Sequence, residues 1–151
     1  MTIKIYTIEK LKKDNFYDII LDYKKMISKF AKIEDRAIFS KDIAKAQSIG
    51  EAEAKRSYTK AFLPLLGDFN VALDVNGKEL DSFQFSELFK DRASLSFFIG
   101  GAYGFEDEFL RKCDIKVSLS RLTMGHKIAK IVLFEQIYRA FTILNNHPYH
   151  K

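Results

Sequence analysis

The sequence predicts an α/β fold in which a mostly parallel sheet is flanked by helices. Short apolar stretches with strand-like character alternate along the chain with longer stretches whose apolar residues recur at helical spacing. Such alternation is typical of parallel sheets that carry helices on both faces. The chain has 151 residues, 47% of them hydrophobic, which suffices for one domain with a substantial core and excludes a mainly disordered protein.

Two strands and two helices are predicted in the first part of the chain. The strands cover residues 4–8 and 36–39, and the helices cover residues 16–30 and 48–63. Apolar residues at helical spacing indicate the first helix, and a composition rich in Ala, Glu and Lys indicates the second. No repeat, low-complexity tract or linker interrupts these elements, so residues 1–151 are predicted to form a single domain.

Three strands alternate with three helices in the rest of the chain. The strands cover residues 69–75, 95–99 and 115–119, and the helices cover residues 83–90, 106–112 and 126–144. Asn76-Gly77 is a typical turn signal after the first of these strands, and Ser82 is suited to cap the helix that follows. The last helix is apolar almost all round, which favours contact with a second subunit over burial within one chain.

Charge is distributed unevenly along the chain. The net charge is +5, with +5 in residues 1–66, −6 in residues 67–110 and +6 in residues 111–151. Two basic blocks favour an anionic partner such as nucleic acid, and an ordinary solvated surface is the alternative.

Several classes of protein are disfavoured by the residue inventory. Cys113 is the one cysteine, which excludes a disulfide scaffold and fits a reducing cytosol. His126, His147 and His150 do not form a standard zinc spacing with it, so no metal is expected. No leader segment and no run of about 20 apolar residues is evident. We therefore expect a cytoplasmic protein without membrane contact.

The loops that follow three strands are the first candidates for a binding site, because ligands of parallel sheets bind beyond the carboxyl ends of the strands. In the segment FFIGGAYG, Gly100, Gly101 and Gly104 follow a buried strand and allow the backbone to approach a ligand. The acidic segment at 106–108 disfavours a phosphate there. A tight strand-to-helix turn is the alternative interpretation.

The segment SLSRLTMGH, residues 118–126, follows the last strand and offers backbone groups together with the Ser120 and Thr123 hydroxyls. Such a loop can recognise an adenine ring. Alternatively, Ser120 or Thr123 caps the next helix. That helix contains Glu135 and Arg139, four residues apart and able to pair.

The chain ends in His147-Pro148-Tyr149-His150-Lys151, a cluster that can stack on a base and contact phosphate. Disorder or a tag remnant is the alternative. In order and spacing, LDVNGK (73–78), FFIGGAYG (97–104), SLSRLTMGH (118–126), FEQIYRA (134–140) and HPYHK (147–151) resemble the RlmH family of small SPOUT-class RNA methyltransferases. The resemblance covers the whole chain and is strongest over residues 69–151.

The resemblance implies a fold, a reaction and partners. The fold is a SPOUT-type α/β knot whose C-terminal part, about residues 69–151, forms a deep trefoil knot. The cofactor is S-adenosylmethionine, the protein is a homodimer, and the product is N3-methylated pseudouridine. The target lies in the helix 69 loop of 23S rRNA (position 1915) on the assembled ribosome.

The same resemblance implies site residues. The cofactor would be bound by Leu73, Gly100, Gly101, Gly104, Ser120, Arg121, Leu122, Thr123, Met124 and Gly125. His150 is the first candidate for a general base, Tyr149 would stack on or orient the target base, and Arg139 would hold phosphate or uracil carbonyls unless it only pairs with Glu135. Candidate RNA contacts are Lys10, Lys12, Lys13 and Lys151, with Lys24 and Lys25 as further ones.

Two positions depart from the family pattern. Ala102 and Gly125 stand where the family usually has proline, which relaxes the restraint on φ in both loops. Two other functions stay open at this point. One is a knotted RNA- or ribosome-binding module without catalytic activity, and the other is an adenine-nucleotide-binding α/β protein of another kind.

Overall fold

A computed structural model describes all 151 residues and contains five strands, six α-helices and one short 3-10 turn. The strands are β1 (Thr2–Ile8), β2 (Lys32–Ile38), β3 (Asn70–Glu79), β4 (Ser94–Ile99) and β5 (Ile115–Ser118). The helices are α1 (Asn15–Ile27), α2 (Lys41–Ile49), α3 (Glu51–Phe62), α4 (Ser82–Glu87), α5 (Asp107–Lys112) and α6 (His126–Leu144). The strands form one sheet in the order β2-β1-β4-β3-β5, and every neighbouring pair is parallel.

Each face of the sheet is covered by three helices, as the alternation of elements predicts. Side chains of successive strand residues point to opposite faces. Accordingly, Phe97 of β4 packs with α1, α4 and α6, whereas its neighbour Phe98 packs with α2, α3 and α5. Both rings are completely buried. The predicted α/β class with a parallel sheet is confirmed, and the two cores hold the strand ends in fixed positions.

The region between β2 and β3 differs from the prediction. The single helix predicted over residues 48–63 is instead two helices, α2 and α3, separated at Gly50. Gly50 has φ 156°, a backbone conformation that side-chain-bearing residues rarely adopt, and it is the C-cap of α2 and the N-cap of α3. β2 also begins four residues before the predicted residue 36.

The turn predicted at Asn76-Gly77 is wrong, because β3 continues through both residues to Glu79. Val117 of β5 pairs with Leu73 and again with Lys78, so the intervening residues form a large irregularity in β3. A Cβ on Gly77 would lie 2.7 Å from the carbonyl carbon of Lys116, so this glycine permits close strand contact rather than a turn.

The cap predicted for the helix near residue 83 is displaced by one residue. Asp81 accepts a bond from the backbone N–H of Gln84, and the Gln84 side chain accepts one from the backbone N–H of Asp81, which completes a capping box. Ser82 lies inside α4, and its hydroxyl donates to Gln136 of α6 instead. This bond ties α4 to the last helix.

α6 has the bounds predicted from the sequence, and one of its faces is buried in the core through residues such as Leu133, Phe134 and Ile137. The outward face keeps apolar side chains, with Ile128 47% exposed and Val132 half-buried. No helix of the chain has the length and apolar character that spanning a membrane requires. The knot predicted for about residues 69–151 is not tested by the strand pairing and stays a prediction.

Candidate functional site

A cavity of about 380 Å³ lies at the carboxyl edge of the sheet, between residues 73–75 in the irregular part of β3 and the loops after β4 and β5. Leu73 of β3 lies where these strands end, paired with Ile99 on one side and Val117 on the other. The volume is within the range of about 300–1,000 Å³ that is usual for small-molecule sites. The three segments selected from the sequence therefore line one cavity, although the first of them belongs to β3 and is not a loop that follows it.

The loop after β4 is shaped by its glycines. The backbone N–H of Gly104 donates to the Gly101 carbonyl at 3.1 Å, and Gly104 has φ 78° in the left-handed region. A Cβ on Gly101 would lie 2.5 Å from the Tyr58 hydroxyl of α3. Burial, together with Tyr103, raises the pKa of Tyr58, and its hydroxyl donates to Gln47 at 2.5 Å. Tyr58 of α3 thus packs against this loop at Gly101.

The loop after β5 is held by its own serines. The Ser118 hydroxyl donates to the Ser120 carbonyl at 2.9 Å, and the Ser120 hydroxyl accepts from the backbone N–H of Leu122 at 3.0 Å. Neither Ser120 nor Thr123 caps α6, because the N-cap residue is Gly125, which has no side chain to form a capping bond. The alternative interpretation of this segment as a serine- or threonine-capped helix start is therefore wrong.

Most residues predicted to bind the cofactor line this cavity. They are Leu73, Gly100, Gly101, Gly104, Ser120, Leu122, Thr123, Met124 and Gly125. Arg121 does not line it, since its side chain is 86% exposed and lies 3.6 Å from Glu79. The sequence reasoning missed Asp74, Phe105 and His126, which also line the wall. Asp74 follows Leu73 in LDVNGK and could have been found from that position.

The cavity wall carries few charges. Asp74 is its one carboxylate and forms no ion pair, and no Lys or Arg lines it. A ligand with a positive centre and a largely apolar body suits such a wall. A phosphate group would find no cation there, which disfavours the nucleotide-binding alternative.

A second cluster, the tail cluster, consists of Glu135, Arg139, Tyr149 and His150. Two nitrogens of Arg139 contact Glu135 Oε1, Nε at 3.0 Å and Nη2 at 2.5 Å, and Nη1 lies 3.0 Å from His150 Nδ1. The Tyr149 hydroxyl donates to Glu135 at 3.1 Å, and the Arg139 guanidinium lies 4.8 Å from the centre of the Tyr149 ring. The chain end is therefore folded onto α6.

Charge and hydrogen bonding define the chemical state of this cluster. The Glu135 hydrogen bond raises the pKa of Arg139, which stays a cation, and burial with the Glu135 bond raises the pKa of Tyr149. Because a guanidinium can only donate, His150 Nδ1 must accept from it, which leaves the proton on Nε2. His150 therefore presents Nε2–H as a donor in this arrangement.

The tail cluster does not line the cavity of its own chain. Ala129 is the last cavity residue on α6, and Arg139 follows ten residues later, about 15 Å along the helix axis. The cavity and the tail cluster thus lie near opposite ends of α6.

The remaining candidates are placed as follows. Lys10, Lys12 and Lys13 lie exposed on the loop between β1 and α1, and Lys151 is exposed at the chain end. Burial, together with the Asp114 carboxylate, raises the pKa of Cys113 to about 12, so this thiol is protonated near neutral pH and is no nucleophile. No group of three or more His, Cys, Asp or Glu residues is placed to hold a metal ion.

Comparison with known proteins adds an independent finding. The family described as predicted SPOUT methyltransferase matches residues 1–150. "Ribosomal RNA large subunit methyltransferase H" of Aliarcobacter butzleri is 55% identical over 151 residues, all of both chains, and the protein of that name from Campylobacter concisus is 48% identical, again over both whole chains. A probable methylase family protein from Haemophilus influenzae Rd KW20 shares the fold, with TM-score 0.60, 14% identity, and coverage of 99% of this chain and 70% of that chain.

Proposed function

This chain belongs to the SPOUT methyltransferase family, and from that premise we propose that it methylates 23S ribosomal RNA with S-adenosylmethionine as methyl donor. The finer target is N3 of the pseudouridine in the helix 69 loop of the assembled ribosome, in the cytoplasm. The observation that carries the proposal is the convergence of the irregular part of β3 and two loops on one cavity. One methyltransferase domain, residues 1–151, would perform the reaction.

The residues of the cavity fit this cofactor. S-adenosylmethionine supplies an electrophilic methyl group on a positively charged sulfur. The unpaired Asp74 carboxylate favours a cationic ligand, and the glycines at 100, 101 and 104 let the backbone lie against it. Backbone groups of the serine-held loop, residues 120–125, are suited to recognise an adenine ring.

A homodimer completes the site. Because the tail cluster lies about 15 Å from the cavity along α6, we infer that the tail of one subunit reaches the cavity of the other. The outward side of α6 offers apolar surface for such contact at Ile128, and Leu122 beside the cavity is 77% exposed. Exposed apolar groups of this kind are typical of subunit interfaces.

The tail cluster then has three roles at the target base. Arg139 binds a phosphate or the uracil carbonyls, Tyr149 stacks on or orients the base, and His150 accepts the N3 proton. Because Arg139 occupies Nδ1 of His150 in the free chain, His150 becomes a base when Arg139 turns to the RNA. Lys10, Lys12, Lys13 and Lys151 contact the RNA backbone, and the target base leaves its stack to reach the cavity.

The test is transfer of labelled methyl groups to ribosomes that lack this modification, followed by mapping of the modified nucleotide. Label on N3 of the helix 69 pseudouridine is the expected result. Label elsewhere in the ribosomal RNA would mean that the chain is a ribosomal RNA methyltransferase with a different target nucleotide. Absence of both label and cofactor binding would leave a non-catalytic binding module.

A mixing experiment tests the shared site. Arg139→Ala and Gly101→Ala subunits are each impaired alone, one in the tail and one in the cavity. After mixed refolding, half of the dimers are mixed and each has one intact site, so about a quarter of wild-type activity returns. No recovery would mean that each chain uses its own tail. Mixing Arg139→Ala with His150→Ala is the control, because both changes lie in the tail.

A further inference from the structure

The carboxyl edge of the sheet has two parts of different character. The cavity occupies the part formed by β4, β3 and β5, whereas the other part is formed by the ends of β1 and β2. β1 is the direct neighbour of β4, so the β1–α1 loop lies one strand spacing, about 5 Å, from the strand that ends in the glycine loop. A polymer that enters the cavity from the β1 side passes close to this second part.

The β1–α1 loop is held against α6 through its carboxylates. Glu9 contacts Lys130 at 2.9 Å and His126 at 3.5 Å, and Asp14 pairs with Lys127. The hydrogen bond from Lys127, with a further one from the Tyr17 backbone, lowers the pKa of Asp14, which stays ionised. His126 also lines the cavity, so the loop is attached at the cavity edge.

These contacts neutralise the loop's acids and leave its bases free. Lys10, Lys12 and Lys13 are exposed and form no ion pair. Lys10 lies 5.3 Å from the centre of the Phe39 ring, which joins the loop to the segment after β2. The positive charge is therefore uncompensated, and the loop that carries it is attached to α6 and to the segment after β2.

The same charge continues on α2. Lys41 and Lys45 are four residues apart, so they share one face of the helix, and both are exposed without an ion pair. Ser40 fixes the start of this helix by accepting from the backbone N–H of Ile43 at 3.1 Å. Five lysines thus follow the edge outward from the cavity: Lys10, Lys12, Lys13, Lys41 and Lys45, here called the basic rim.

We propose that the basic rim binds the phosphate backbone of the ribosomal RNA next to the methylated nucleotide, with Lys41 and Lys45 extending the contact beyond the β1–α1 loop. This inference rests on the proposed function for the identity of the RNA. An RNA backbone fits because the rim is charged, continuous with the cavity and carried by fixed segments. The lysines of the β1–α1 loop are recognisable from the sequence as a basic run, whereas Lys41 and Lys45 join them only through the fold.

The experiment compares Lys41→Gln/Lys45→Gln with Lys29→Gln/Lys112→Gln in the full-length protein. The control lysines are also exposed and unpaired, but they lie three residues before β2 and β5, at the opposite edge of the sheet. Loss of two phosphate contacts should raise KM for ribosomes about tenfold with kcat unchanged, and should lower the slope of log KM against log salt by about 1.5. The control should change KM less than about twofold.

Equal changes in both variants, or no change in the rim variant, would overturn the proposal while methylation continues. Sedimentation of each protein with 50S subunits gives a second readout that does not need activity. If the wild-type protein transfers no methyl group but binds 50S subunits through the rim lysines, the proposed function is wrong and RNA binding by the basic rim is supported. Binding of the rim to anionic vesicles in place of 50S subunits would overturn it.

Discussion

The two ends of α6 carry the two parts of the proposed active site, and they are built from different groups. At the N-terminal end, apolar side chains, glycines and small polar side chains form the cavity, and one carboxylate supplies its charge. At the C-terminal end, Glu135, Arg139, Tyr149 and His150 bond to one another through ionisable side chains. We expect the first end to control cofactor binding and the second to control turnover.

The largest expected effect is on turnover in Arg139→Ala. The change removes the group that contacts both Glu135 and His150, so single-turnover methyl transfer should fall by about 100-fold or more. Cofactor affinity, measured by calorimetry, should stay within about twofold. The matched control is Arg111→Ala on α5, an exposed arginine without an ion pair. A large loss of cofactor affinity in Arg139→Ala would remove the division between the two ends.

The next effect is on cofactor binding in Gly101→Ala. The new methyl group would lie 2.5 Å from the Tyr58 hydroxyl, which forces the loop or the tyrosine to move at a cost of about 1–3 kcal/mol. We expect cofactor affinity to fall about tenfold or more. Gly125→Ala, also on the cavity wall, is the comparison that adds a methyl group without a clash inside the chain, since no atom lies within 4 Å of its Cβ and φ is −58°. Equal losses in both variants would show that contact with Tyr58 does not shape the loop.

A smaller effect is expected for Tyr149→Phe. The variant loses the 3.1 Å bond to Glu135 but keeps the ring beside Arg139. The activation barrier should therefore rise by about 1 kcal/mol, which lowers turnover roughly fivefold. Burial and the Glu135 bond raise the pKa of Tyr149 from its ordinary value of 10.0. Since the hydroxyl then stays protonated from about pH 7 to pH 9, the ratio of wild-type to variant rate should be constant over that range. A ratio that falls with rising pH would indicate ionisation of Tyr149.

The smallest effect is a gain of stability in Gly125→Pro. Gly125 has φ −58° and ψ 148°, a conformation that proline also adopts, and its N–H takes part in no hydrogen bond. Restricting the unfolded chain should stabilise the protein by about 0.4–1 kcal/mol. Thermal unfolding with and without cofactor measures this. Destabilisation would mean that the N-terminal end of α6 needs freedom of φ at this residue.

The cavity was more accessible to sequence reasoning than the tail cluster. The strand ends predicted at residues 75, 99 and 119 place three segments at one edge because parallel strands share a direction, and this needs no side-chain detail. In the structure the first and last of these strands end at Glu79 and Ser118. The contacts of His150 and Tyr149 depend on how the chain end folds onto α6, which no periodicity encodes. The spacing of Arg139 and Glu135 predicts their pairing, whereas only the family resemblance groups Arg139 with Tyr149 and His150.

Local signals failed where tertiary contacts decided the outcome. Asn76-Gly77 has the composition of a turn, yet β5 passes so close that Gly77 serves the strand contact. Gly50 divides two helices that share one helix-forming composition. The sequence marks Gly77 as a special position but predicts the wrong role for it, and it gives no sign that Gly50 ends a helix. In both cases the neighbouring backbone defines the role of the glycine.

Lys130 connects positions that are far apart in the sequence. Its side chain is 8% exposed and lies 2.9 Å from Glu9 and 2.8 Å from Asp35, two carboxylates that are themselves almost buried. Replacing Lys130 alone would leave Glu9 with only His126 at 3.5 Å and Asp35 with only Lys24 at 2.8 Å, at a cost of up to about 3–5 kcal/mol. Among related sequences, positions 9, 35 and 130 should therefore covary: a neutral residue at 130 should occur together with neutral residues at 9 and 35.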